Sequence, residues 1–85
     1  MREFKYIITD KEGIHARPAG ELVKMAGSFE SDVKKKKDDK TADMKRIFGV
    51  MGLGVKCGNE VTITVEGEDE DTAAEALESF FRKNL

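Results

Sequence analysis

The segment Gly13-Ile14-His15-Ala16-Arg17-Pro18-Ala19 holds the chain's one histidine and one proline, three positions apart. An unperturbed imidazole, with a pKa of about 6.5, keeps a free ring-nitrogen lone pair at neutral pH and is a competent nucleophile toward phosphorus. Proline lacks an N–H and has φ preset near helical values, so Pro18 suits the first turn of a helix. That turn has N–H groups without internal partners and the positive end of the helix dipole, which together attract anions. Arg17 adds a permanent, forked cation two residues from the ring, and Gly13 lets the chain turn sharply into the site. The pattern points to a histidine that is transiently phosphorylated. Its phosphoryl oxygens would be held by the N–H groups of Ala16 and Arg17 and by the Arg17 guanidinium. The competing reading is a helix-capping histidine beside a surface arginine, and the packing of His, Arg and Pro into four residues after a glycine favours the chemistry.

The elements that must position this segment follow from hydropathy. Phe4, Tyr6 and Ile8 alternate with Lys5 and Thr9, which predicts a half-buried first strand ending near Asp10. After the loop from Asp10 to Ile14, the apolar residues Ala19, Leu22, Val23 and Ala26 recur at helical spacing from Ala16 onward. They leave Arg17, Gly20, Glu21 and Lys24 on the other side, with Gly27 as the expected C-cap. Ser31 to Lys37 and Lys40 to Met44 flank Asp38-Asp39 as a hairpin, with Lys34 to Lys37 expected on a solvated edge strand. Val61, Ile63 and Val65 alternate with threonines in a further strand closed by Gly67. A last helix follows, with Glu68 to Asp71 at its amino end, Arg82 and Lys83 at its carboxyl end, and Ala73, Ala76, Leu77, Phe80 and Phe81 on its apolar face. Those four carboxylates read as dipole partners in preference to a metal site.

The segment from Ile47 to Val55 holds three glycines and packs five large apolar side chains into the seven residues from Ile47 to Leu53. A short helix cannot bury them all on one face, so a docking patch competes evenly with plain core for Phe48 and Met51. The glycines match neither GxxxxGK[ST] nor GxGxxG, which argues against a nucleotide loop.

An 85-residue chain makes one small domain, 1–85, too small for a deep private cavity, so its chemistry belongs on the surface and is completed by a partner. Charged residues make up 38% of the chain, yet 15 basic against 17 acidic leave a net charge of −2, which gives no bulk attraction to nucleic acid or membrane. The absence of an apolar run of spanning length and of a leader segment leads to the expectation of a cytoplasmic protein. Cys57 stands alone and is expected to be a small, partly buried apolar residue. No metal and no cofactor is expected.

On these residues the chain resembles the HPr phosphocarrier family of the bacterial phosphoenolpyruvate-dependent sugar phosphotransferase system. Gly13 to Ala19 matches the family's active-site motif, Lys45 to Leu53 its second signature, and Gly58 to Gly67 its last strand. The resemblance implies an α+β fold, a β-α-β-β-α-β-α open-faced sandwich with a four-stranded antiparallel sheet covered on one face by three helices. It also implies that phosphorylated Enzyme I transfers its phosphoryl group to Nδ1 of His15 and that sugar-specific IIA domains accept it. Arg17 would be the phosphate partner. Gly20, Lys24, Gly27, Ile47, Phe48 and Met51 fall where the family docks partners, and the chain is expected to be a monomeric carrier and not an enzyme. Arg46 departs from the serine that many Gram-positive members carry for a regulatory kinase. It cannot accept that phosphate, it removes a helix cap, and its charge would favour an acidic partner surface. Glu12, three residues before His15, stands where the family more often has a small polar residue; within reach of the ring its carboxylate would raise the histidine pKa. The alternative function is a regulatory module that binds a protein through the Ile47-Phe48-Met51 patch without phosphoryl transfer.

Overall fold

A computed structural model of the chain describes residues 1–11, 13–14, 16–52 and 55–85, with the backbone alone at Ala16 and Phe48. The elements run β1 (Arg2–Ile7), α1 (Ala16–Gly27), β2 (Asp32–Lys37), β3 (Lys40–Asp43), α2 (Ile47–Met51), β4 (Glu60–Glu66) and α3 (Glu70–Asn84). The strands form one antiparallel sheet in the order β1-β4-β2-β3, and the three helices cover one of its faces. This is the open-faced sandwich expected.

The alternation in β4 sets the two faces. Val61, Ile63 and Val65 are fully buried, while Glu60, Thr62, Thr64 and Glu66 look outward to differing degrees. Opposite them on β1, Phe4 and Tyr6 are half-buried and meet Phe81 of α3 edge-on, with ring centroids 5.8 and 5.5 Å apart. On α3, Ala74 takes a buried place beside Ala73, Leu77, Phe80 and Phe81, whereas Ala76 is only half-buried.

Three expectations are corrected. The lysine-rich strand β2 is central, not an edge: it pairs with β4 through Asp32 to Lys36 and with β3 through Lys34 to Lys37, which leaves β1 and β3 at the edges. Lysine fits there because its four-carbon stem is apolar and its head can seek carbonyl oxygens. Gly27 is the last residue of α1 and keeps an ordinary φ; the helix closes on Ser28, whose N–H reaches the carbonyls of Lys24 and Met25 and whose Oγ donates to Met25 at 2.6 Å. Cys57 is exposed, because it sits in the turn before β4, with its Sγ 3.6 Å from the Thr9 carbonyl. The hairpin at Asp38-Asp39 forms as expected, with Asp38 at φ 56°.

The acidic run before α3 is used within the protein. Asp69 accepts from the backbone N–H groups of Glu30 and Ser31, each at 2.9 Å, and from the Ser31 hydroxyl; these bonds, the hydroxyl's first, hold its carboxyl below the usual carboxylate range. Glu70 pairs with the amino terminus at 2.8 Å, and Asp71 with Arg2 at 2.8 Å.

Candidate phosphoryl-transfer site

The approach to α1 is held by backbone bonds that no local pattern announces. The Ile8 N–H donates to the Asn59 carbonyl at 2.9 Å, and Gly58 donates back to Ile8 at 2.7 Å. The N–H groups of Thr9 and Asp10 both donate to the Leu85 carbonyl, at 2.7 and 2.9 Å, and the Thr9 hydroxyl joins them at 3.1 Å. The loop is thereby pinned between the end of α3 and the turn before β4. It then turns at Gly13, whose N–H donates to the Asp10 carbonyl at 3.0 Å and whose φ is +68°. A side chain at Gly13 would place Cβ 2.5 Å from the Val55 carbonyl oxygen, so glycine is required on two counts.

Helix α1 begins at Ala16 with Arg17 and Pro18 in its first turn and no acidic residue there. Ile14, Pro18, Ala19, Leu22 and Ala26 are buried, which fixes the helix against the core. Arg17, Gly20, Lys24 and Gly27 lie exposed on its outer side. His15 and Glu12 lie outside the described residues, as does Leu53; of Ala16 the helical backbone is described. The first turn therefore offers N–H groups and a guanidinium to an anion with no carboxylate in that turn to oppose it. Beside it, Asp10, Arg17, Pro18, Glu21 and Asn84 line a shallow cleft of about 190 Å³. The sequence reading missed Asp10, Glu21 and Asn84 as neighbours of this site, since only the tertiary return of α3 brings Asn84 there. A wider concavity of about 550 Å³ lies on the open face of the sheet, where Glu3 and Glu60 mix with Lys5 and Lys36.

Helix α2 packs against α1 and β3. Its amino end is capped by Arg46, whose C=O accepts the Val50 N–H at 3.0 Å, so the arginine stands at the N-cap position with no side-chain acceptor to offer. Val50 is fully buried, whereas Ile47 and Met51 remain 38% and 42% exposed. Met51 thus faces solvent in part, and the Phe48 side chain lies outside the described residues. Gly49 permits the close seat on β3: a Cβ there would fall 1.8 Å from the Asp43 carbonyl oxygen. Lys45 ties the entry to α2 to the α1–β2 loop, its Nζ donating to the Phe29 carbonyl at 3.1 Å. Among the described residues no His, Cys, Asp and Glu cluster could hold a metal ion, and no helix is long and apolar enough to cross a membrane.

Residues 2–83 match the family model for the PTS HPr component phosphorylation site. The phosphocarrier protein HPr of Lysinibacillus sphaericus is 48% identical over 77 residues, which cover 91% of this chain and 88% of that one. A solved histidine-containing phosphocarrier protein from Mycoplasma superposes with a TM-score of 0.92 at 39% identity, covering 96% of this chain and 93% of that one. Crh, the catabolite repression protein of Bacillus subtilis solved as a swapped, intertwined dimer, superposes with a TM-score of 0.79 at 40% identity, covering 100% of this chain and 98% of that one. With the family model matching nearly the whole chain and relatives this similar in sequence and fold, the chain belongs to the HPr family of phosphocarrier proteins of the phosphotransferase system.

Proposed function

We propose that this protein is a cytoplasmic, monomeric phosphoryl carrier in which Nδ1 of His15 takes the phosphoryl group from phosphorylated Enzyme I and gives it to a sugar-specific IIA domain. The observation that carries the reading is the first turn of α1, where Arg17 is exposed and Pro18 is buried, two and three residues after His15 in sequence, without an acidic residue in the turn. The imidazole lone pair attacks phosphorus as the donor's ring nitrogen leaves, and the N–H groups of Ala16 and Arg17 with the Arg17 guanidinium hold the equatorial oxygens. The protein then serves as an intermediate in a relay, not as a free-standing catalyst.

Partners dock on the outer side of α1 and on α2. Gly20 and Gly27 support this: a Cβ at either would meet nothing within 4 Å, so the fold itself does not require glycine there. A glycine inside a helix costs about 1 kcal/mol relative to alanine. That cost is understandable where another protein's surface approaches closely. Lys24 and Arg46 add cations around this surface, and the partly exposed Ile47 and Met51 supply its apolar centre. Incubation with Enzyme I and phosphoenolpyruvate, followed by a IIA domain, tests the reading. Label should first appear on this chain and then leave it for the IIA domain; a chain that is never labelled, or that keeps its label, contradicts it.

A further inference from the structure

Lys35 stands where the strand pattern calls for an apolar residue. It occupies the inner row of β2, paired with Ile63 on β4 and Ala42 on β3, and the whole residue is shielded from solvent. Its Nζ donates to the carbonyl of Val50 and, at 3.1 Å, to that of Gly52. These oxygens belong to the carboxyl end of α2, where a helix has no internal donors and where its dipole favours a cation. A five-residue helix has too few hydrogen bonds to hold itself, so its orientation depends on such tertiary ties. The neighbours do not otherwise explain the charge: Ala42 and Ile63 are apolar, and α2 contains no titratable residue. Burial, followed by the charge of Lys37, lowers the Lys35 pKa to about 8, so the ammonium persists at neutral pH against a cost that a leucine in the same place would not incur.

We propose that Lys35 is a positioning residue for the partner-docking surface: by tying the carboxyl end of α2 to the middle of the sheet, it fixes how Ile47 and Met51 are presented. The inference deepens the phosphocarrier reading and rests on it for the identity of the partners, while the tie itself is a property of the isolated protein.

Lys35→Met keeps the length and apolar bulk and removes the donor, and Lys35→Leu repeats the test with a residue suited to a packed core. In both variants the Val50 amide, bonded to the Arg46 carbonyl, should exchange with solvent at least about tenfold faster, while amides of β1, β4 and α3 keep at least their natural protection. Transfer from Enzyme I should show a KM raised by about threefold or more with kcat within about twofold of the natural protein, because docking and not the chemical step is disturbed. Unchanged exchange at Val50 in both variants would overturn the tie. A natural KM beside a loosened α2 would overturn its bearing on docking. If neither the natural protein nor the variants accepts a phosphoryl group, the carrier reading fails and the docking role falls with it, while the exchange result still decides the tie.

Discussion

At the junction of β4 and α3, Asp69 is engaged by Glu30 and Ser31, Glu70 by the amino terminus and Asp71 by Arg2. On α1 and α2 the opposite holds: Arg17, Lys24 and Arg46 point outward and Ile47 and Met51 stay partly in water. One region consumes its polar groups in holding the sandwich together. Among the described residues, the other leaves charge and apolar surface uncommitted, beside a helix start suited to an anion. The difference teaches where to look for function in a small open sandwich: not in the wider concavity on the open face of the sheet, but where, among the described residues, side chains lack a partner that the fold supplies.

The sharpest break of this contrast is Gly49→Ala. A Cβ directed into the Asp43 carbonyl must displace α2 or bend β3, and overpacking against backbone costs about 3 kcal/mol. Denaturant unfolding should read that loss; an unchanged midpoint would mean that α2 is not seated as described.

Lys35→Leu has a smaller effect whose sign depends on pH. With a folded pKa of about 8 against 10.5 for the free side chain, the unfolded chain binds more protons between those values. The natural protein therefore gains stability as pH rises from 8 to 10.5, and below 8 the cost of the buried charge, about 3 kcal/mol, is present in full. The leucine variant escapes that cost but leaves two carbonyls without their donor, at about 1 kcal/mol each. Unfolding measurements should find it more stable than the natural protein by about 1 kcal/mol at pH 7 and less stable at pH 10 or above. An equal difference at the two pH values would contradict a buried ammonium.

Gly20→Ala is the gentlest probe. Its Cβ enters open space, so stability should rise by about 0.5–1 kcal/mol while transfer from Enzyme I slows. A variant that is stabilised and transfers at the natural rate would remove Gly20 from the docking surface.

Much of this was legible in the residues themselves. The alternation of Val61, Ile63 and Val65, the helical spacing of Ala19, Leu22 and Ala26, and the Asp38-Asp39 turn are local patterns, and the element order follows from them. The lysine run misled because four consecutive charges read as solvated, whereas alternation in a central strand sends every second one inward whatever its head group. Cys57 misled because a lone cysteine is usually buried, and a turn overrode that preference. The ties from Thr9 and Asp10 to Leu85, and from Lys35 to α2, join distant segments and have no local signature. For the site, the helix start, Arg17 and Pro18 were readable at once, because capping chemistry is local; the cleft shared with Asn84 was not.

The central claim, phosphoryl transfer through His15, is tested most directly by the intact mass of the protein after incubation with Enzyme I and phosphoenolpyruvate. The natural chain should gain the mass of one phosphoryl group, labile in acid and stable in base, and His15→Ala should gain none while keeping its fold. A natural chain without the added mass, or a His15→Ala chain that gains it, would contradict the account.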